Sequence, residues 1–481
     1  MLDVVIIGCG IVGAAVAYEL SGYKLSVALL ERENDVAQGT TKANSAIIHA
    51  GYDPEPGTLM AKLNVEGSRL TKELCLKLDV PYKQCGSLVV AFSESEMPSI
   101  CELYERGVKN GVPDIAVIDA GQVRKMEPAL NQSVVGALHA PSAAIISPWE
   151  FALALAETSV RNGVELHLSA CVEGITKIGG GYRIQTTKGD FEAKHVINAA
   201  GAHADIVHNM VAKPSYKIIP DRGEYYLLDK NEGSRVSHII FQCPTKIGKG
   251  TLVAPTVHGN LIVGPNNEPI EDADDVATTT QGLAHVAQMA CKSVPSVNLR
   301  ESIRNFSGVR AASDRDDFII EEAVGTPGFI DLAGIKSPGL SAAPAIAVMA
   351  VNLLHRCGLE LSKKEEFIDT RKIVRFKDLS TNEKIEVVKK NPSYGRVICR
   401  CVTITEGEIL DAIHSPIPPC SLDGVKRRCN AGMGRCQGGF CGPKVLELLS
   451  REMNVSPFQV LQDKAGTNIL TGETKGGAAD V

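Results

Sequence analysis

The sequence predicts an α/β protein: a doubly wound nucleotide-binding domain built from discontinuous segments, a sheet-rich domain interrupting it, and a small helical domain at the C-terminal end. Three observations carry this. The first thirty-one residues read strand, glycine-rich turn, helix, strand and acid. From Lys217 to about Asn305 the pattern changes to short strands and turns. Finally, six of the 14 cysteines fall between Cys399 and Cys441, while the others are scattered singly before them.

Val4 to Ile7 form the first strand, and Gly8-Cys9-Gly10-Ile11-Val12-Gly13 supplies G-x-G-x-x-G. Gly8 makes the tight turn, Gly10 lets backbone approach a pyrophosphate, and Gly13 lets helix and strand pack closely. A diphosphate then sits at the helix N-terminus, where unpaired amides and the dipole favour anions. Leu25 to Leu30 form the second strand, closed by Glu31 and Arg32. An acid at this distance hydrogen-bonds ribose hydroxyls.

At 481 residues the chain exceeds one core, so two or three domains are expected. Apolar content of 44% and charged content of 22% are those of a soluble globular protein. A net charge of −6 argues against nucleic acid as a partner and gives no reason to invoke an anionic membrane surface. The first strand begins at once, with no basic region, apolar signal core or cleavage site, so a cytoplasmic chain is expected. The longest apolar stretch, 342–354, contains Pro344 and Asn352 and is too short to span a bilayer.

Gln38 to Ser45, with Thr40, Thr41, Lys42 and Asn44, is a loop of small hydroxyl and amide residues suited to lying along a polar ring system, and His49-Ala50-Gly51 follows. Residues 57–78 read as helix, 80–92 as strand around Gly86, and 94–110 and 121–126 as helix. Trp149 leads into an apolar helix over 150–162, then a strand over 163–168 and a hairpin over 182–192. The buried strand Val196 to Asn198 ends in Ala199-Ala200-Gly201 and returns the chain to the first domain. Phe329 to Gly334 repeats that shape, and Pro338-Gly339-Leu340-Ser341 opens a second helix N-terminus. The resulting domains are 1–80, 141–215 and 306–370 for nucleotide, and 81–140 with 216–305 for substrate. A linker at 371–390 carries an exposed, charged helix, the cysteine domain spans 391–462, and 463–481 is a loose tail.

Gly8 to Glu31, Asn198 to Gly201 and Asp331 to Leu340 together resemble the flavin-dependent amine and hydroxy-acid oxidoreductases of the D-amino-acid oxidase class, up to about residue 360. The resemblance implies FAD extended across the doubly wound domain. It points to Gly8, Gly10, Ile11, Val12, Gly13, Glu31, Arg32, Thr40, Thr41, Lys42, Asn44 and Ser45 as cofactor-binding, with Val172, Ala200, Gly201, Gly334, Ile335, Gly339, Leu340 and Ser341. Thr40 to Gly51 looks like glycerol-3-phosphate dehydrogenases and L-2-hydroxyglutarate oxidases, which gives His49 a place beside the flavin, and Arg310 matches a substrate-binding arginine. Oxidising a secondary alcohol removes a hydroxyl proton and a hydride from one carbon; imidazole takes the first while flavin takes the second. A guanidinium holds the anionic group of the substrate. His258 is a further candidate, and Lys42, Arg222, Arg304, Arg310 and Lys336 are the cations available to a phosphate.

Cys399-Arg400-Cys401 and Cys436 to Cys441 are a C-x-C and a C-x4-C pair, a set of soft thiolates that selects zinc or an iron–sulfur cluster. Lys426 to Gly438 closely resembles the bacterioferritin-associated-ferredoxin-like domain, which implies a 2Fe-2S cluster on Cys399, Cys401, Cys436 and Cys441, with Cys420 and Cys429 structural. That domain also closes the anaerobic glycerol-3-phosphate dehydrogenase catalytic subunit. The resemblances imply a dehydrogenase taking sn-glycerol 3-phosphate to dihydroxyacetone phosphate and passing electrons through the cluster to a second flavoprotein or iron–sulfur subunit. Attachment to a membrane would be peripheral, through that partner. The alternatives are oxidation of L-2-hydroxyglutarate or another 2-hydroxy acid on the same fold, and a non-catalytic redox-relay subunit.

Overall fold

Four consecutive apolar residues make Val4 to Ile7 a strand that can be buried on both faces, and its neighbours obey the same rule. In the computed structural model, which describes residues 1–244 and 250–474, Leu2–Ile7 pairs in parallel with Val27–Leu30 on one side and with Gly189–Asn198 on the other. Glu165–His167 extends the sheet beyond Val27–Leu30, and Phe329–Ala333 extends it beyond residues 196–198. The long strand Gly189–Asn198 serves two purposes: its first half forms the predicted hairpin with Gly181–Thr186, and its second half enters the parallel sheet.

Helix Ile11–Ser21 crosses between the first two strands and packs against helices Pro148–Arg161 and Gly339–Arg356, which bury almost all of its residues. The glycine turn permits this approach. A side chain on Gly13 would collide with the Gly8 carbonyl oxygen, and one on Gly8, at φ +100°, would fall 2.5 Å from the Ala199 carbonyl oxygen.

The second sheet has nine strands and is drawn from residues 87–140 and 218–313. Ser302–Ser313 pairs with Ile218–Leu228 along its length, so the expected boundary at 306 falls inside a strand of this sheet. Continuous antiparallel pairing outweighs the turn residues on which that boundary rested. Helix Thr280–Ser293, which the pattern of short strands had hidden, packs on the same sheet. A separate three-stranded sheet joins Ile47–Ile48, Ala144–Ile146 and Tyr82–Gln84, immediately before His49.

Residues 371–375 lie strapped along the first domain. Arg371 donates to Glu157 at 2.8 Å, Arg375 donates to Glu150 at 3.2 Å, and helix Thr381–Lys390 has no buried residue. The cysteine domain has its own apolar core around Ile409, Val425 and Leu449. The expected loose tail is not loose at its start, because Asp463 accepts from Arg427 at 2.8 Å, Lys42 at 2.9 Å and Gln38 at 3.2 Å. Three polar partners offset the chain entropy that the composition of the tail would otherwise leave unopposed.

The cysteine domain docks through a buried carboxylate. Asp35, 1% exposed, accepts from Arg427 at 2.8 Å and twice from Arg428, at 2.8 and 2.9 Å. Arg428 also donates to the carbonyls of Ile417 and Gly424. Burial alone would raise the Asp35 carboxyl, but the Arg428 and Arg427 charges bring it down to about 2, from an ordinary 3.8. A depressed carboxyl contributes stability above its unfolded value and loses it as pH falls through the folded one. Calorimetry between pH 6 and pH 2 is therefore expected to show about 2 kcal/mol of stability lost below pH 4. In Asp35→Asn that acid limb flattens, and about 3 kcal/mol disappears at neutral pH because two guanidinium groups remain buried without their anion.

Candidate active site and redox module

A cavity of about 1620 Å³ runs between the two sheets and the cysteine domain. At one end lies the glycine turn. The first-turn amides of helix Ile11–Ser21 have no acceptor within the helix, except that Ile11 donates to Thr41 Oγ1 at 2.9 Å. A Cβ on Gly10 would meet only that same Oγ1, at 3.3 Å, so the turn leaves a cradle open to a diphosphate. Glu31 accepts the Cys9 amide at 2.8 Å and the Glu33 amide at 3.0 Å, which fixes its carboxylate at the rim, and burial raises its pKa.

Most sequence-predicted cofactor residues line this cavity: Gly8, Gly10, Ile11, Val12, Glu31, Arg32, Thr40, Thr41, Lys42, Asn44, Ser45, Val172, Ala200, Gly201, Ile335, Gly339 and Leu340. Gly13, Gly334 and Ser341 do not, each for a stated reason. Gly13 is spent on helix–strand packing, Gly334 turns at φ +64° against Ser313, and Ser341 Oγ accepts the His49 amide at 2.8 Å. Arg32 and Lys42 line the wall with their charges engaged, Arg32 by Asp274 and Lys42 by Asp463.

His49 and Arg310 both reach the cavity. His49 is held at three places: its amide on Ser341, its carbonyl by Asn64 at 2.7 Å, and its Nε2 3.3 Å from Ser337 Oγ. Its ring stacks on Phe241 with centroids 5.8 Å apart. Ser337 and Ser341 flank the turn that opens helix Gly339–Arg356, so this second helix N-terminus positions the imidazole.

Arg310 donates through Nη1 to Asp221 at 2.9 Å and Asn267 at 3.0 Å, and through Nη2 to the Asn266 carbonyl at 3.1 Å. Gly223 makes room, since a side chain there would overlap that guanidinium. Burial raises the Asp221 carboxyl, opposed by the Arg310 and Lys336 charges, and Lys336 also lines the cavity. Arg222 does not: it is buried and spent on Glu268 and Asp275. Arg304 lines the wall near Lys426 of the cysteine domain.

Several lining residues carried no local signal in the sequence, among them Phe241, Asn266 and Asn267. Trp149 also lines the wall and stacks on His258 at 6.2 Å. The His258 Nε2 lies 3.5 Å from Glu150, and burial lowers its pKa. Trp149 is the one tryptophan in the sequence, and that rarity was the only available pointer.

The four cysteines stand as two thiol pairs. Cys401 and Cys436 lie 3.5 Å apart at the surface. Cys399, lowered to about 6 by its hydrogen bond with Cys441, is buried with it. Among the described residues no three metal-ligating side chains converge as a ready-made site for one ion. Two pairs suit a two-iron cluster, which takes two protein ligands on each iron, better than one tetrahedral zinc. Met433 and Gln437, on either side of Cys436, line the cavity, so the loop that carries Cys436 reaches it.

The FAD dependent oxidoreductase family profile matches residues 3–353, and that of the BFD-like [2Fe-2S] binding domain matches 397–451. The chain is 51% identical over 476 residues to the glycerol 3-phosphate dehydrogenase of Caloramator mitchellensis, covering 99% of each. It is 36% identical to the glycerol 3-phosphate oxidase of Mycoplasma genitalium over 375 residues, which take 76% of this chain and 96% of that one. Among solved structures it is similar to FAD-bound L-alpha-glycerophosphate oxidase from Mycoplasma pneumoniae, at 33% identity and TM-score 0.74, covering 78% of this chain and 99% of that one. With the open phosphate cradle at Gly10 and the two thiol pairs of the cysteine domain, the chain belongs to the FAD dependent oxidoreductase family and carries a C-terminal [2Fe-2S] domain.

Proposed function

We propose that this enzyme oxidises sn-glycerol 3-phosphate to dihydroxyacetone phosphate and sends the electrons through its cluster to a separate protein acceptor. One observation carries the reading: a single cavity runs from the glycine turn past His49 and Arg310 to the cysteine loop at Met433 and Gln437. The comparisons support it. The relative named an oxidase is nearly used up by the first three quarters of this chain, whereas the relative named a dehydrogenase matches throughout, cysteine domain included.

Bound FAD supplies the acceptor for the hydride from carbon 2. His49 takes the hydroxyl proton of that carbon, its ring held by Ser337 and Phe241 at a fixed angle. Arg310 has five N–H donors: three are directed at Asp221, Asn267 and Asn266, Tyr225 is hydrogen-bonded to the same side chain, and its charge with what remains of the fork is what it offers the substrate phosphate. Lys336 adds a second positive charge on the same wall.

Under anaerobic conditions glycerol 3-phosphate is expected to bleach the flavin bands and L-2-hydroxyglutarate is not; the reverse result would assign the site to 2-hydroxy acids. Steady-state kinetics of His49→Gln should show kcat lowered by about a hundredfold or more. Arg310→Ala should instead act mainly on KM, and Arg310→Lys should not restore it, because an ammonium lacks the two-pronged donor set.

The relay makes a separate prediction. After anaerobic addition of substrate, low-temperature electron paramagnetic resonance should show a reduced [2Fe-2S] signal. Cys436→Ser should lose that signal while its flavin still bleaches. A wild-type cluster that stays oxidised beside bleached flavin would remove the relay from the reading.

A further inference from the structure

Resting on the relay just proposed, we infer that the exposed face around the Cys401–Cys436 pair is the docking surface for a small acidic one-electron carrier protein. The four thiols differ in exposure. Cys399 and Cys441, each 1% exposed, are buried in the domain, and the loop between Gly432 and Gln437 touches the flavin cavity. Cys401 and Cys436 are exposed, and Cys436 belongs to that same loop. Electrons that arrive from the cavity therefore have a short way out to solvent, where a second protein can approach.

The charge around that exit is distinctive. The chain as a whole carries −6, yet there is no aspartate or glutamate from 387 to 405 or from 424 to 446, the two segments that hold all four ligand cysteines. Part of the basic charge in these segments is consumed internally: Arg427 and Arg428 by Asp35, Arg396 by Glu406, and Arg435 by Asp229 and Glu301. Arg400, between the first two cysteines, and Lys444, in the first turn after Cys441, remain as exposed positive charges beside the exit.

Phe440 supplies the apolar anchor. It is 50% exposed next to Cys441, and the Arg400 guanidinium lies over its ring at 4.7 Å. An aromatic residue and an arginine at the centre of a small charged patch are the residue types that carry binding energy at protein interfaces. An anionic bilayer fits less well. Two exposed cations and one half-exposed ring give only marginal attachment to a lipid surface.

The electron balance sets the acceptor class. Each substrate oxidised releases two electrons and two protons, the cluster passes electrons singly, and two carrier molecules are each reduced by one electron.

The test uses holoenzyme reduced anaerobically by glycerol 3-phosphate, with two protein probes of high potential and opposite charge: acidic plant plastocyanin and basic cytochrome c. Plastocyanin should be reduced faster at low salt, with a rate that falls steeply as ionic strength rises. The double variant Arg400→Glu/Lys444→Glu should slow plastocyanin reduction by about tenfold or more. Flavin bleaching and reduction of the small-molecule acceptor ferricenium should stay unchanged, and the cluster absorbance reports that the domain is folded. Lys444→Glu alone and Phe440→Ala should each slow it by a smaller factor. Carbodiimide should cross-link plastocyanin carboxylates to Lys444 in the wild-type enzyme.

Preference for cytochrome c, indifference to charge reversal, or Lys444-dependent sedimentation with phosphatidylserine vesicles in place of plastocyanin binding would each overturn the inference. If substrate leaves the cluster oxidised, the relay itself fails and this surface falls with it. A cluster that is reduced, with docking insensitive to Arg400 and Lys444, removes the surface alone.

Discussion

The carboxylate of Asp35, held between two guanidinium groups, is the contact on which the redox architecture turns. Apolar burial is non-directional and would let the cysteine domain settle at many angles. Three charge-assisted hydrogen bonds from Arg427 and Arg428 to one buried acid admit a single geometry. Asp35 sits four positions after Glu31, on the loop that runs on through Thr40 and Thr41. The same short segment thus shapes the nucleotide part of the cavity and anchors the domain that completes its wall. Lys42 and Asp463 extend the network to the cavity wall, so the cysteine domain cannot shift without moving residues that line the cavity.

Ionic pairing also sorts the cations that a phosphate could use. Five were available by sequence, and composition treats them as equals. In the fold Arg222 and Lys42 are consumed by carboxylates, while Arg310, paired with Asp221, and Lys336 both line the cavity. Asp221 has a double effect here. It neutralises part of the Arg310 charge, which costs affinity, and it fixes the planar fork, which lowers the entropy lost when an anion binds.

What could be read from the sequence was whatever local backbone geometry dictates. The G-x-G-x-x-G turn, the apolar strands and the small residues at Asn198 to Gly201 announce themselves because steric demands within a few residues leave few alternatives. The cysteine pairs did so through spacing. What escaped notice depends on contacts across the chain. Ser302–Ser313 belongs to the second sheet because Ile218–Leu228 lies beside it, and residue 463 is ordered because Lys42, 421 positions earlier, reaches it. Helix Thr280–Ser293 was hidden by a run of strands on either side, and Phe241 and Trp149 face the cavity only through tertiary packing. The hydroxyl of Ser341 holds the His49 amide, a contact between residues 292 positions apart that local sequence does not announce.

The cavity wall is where this chain differs from the shorter oxidase in a way that bears on the proposed relay. In the similar mycoplasma oxidase the matched region takes 96% of the protein, which leaves no length for a second domain like residues 397–451. Here that domain forms part of the wall itself, through Lys426, Met433 and Gln437. A diffusing oxidant would have to reach the flavin past side chains that the shorter protein does not have, whereas the cluster loop is already in contact with the cavity. In the proposed relay, contact fixed by the fold takes the place of collision.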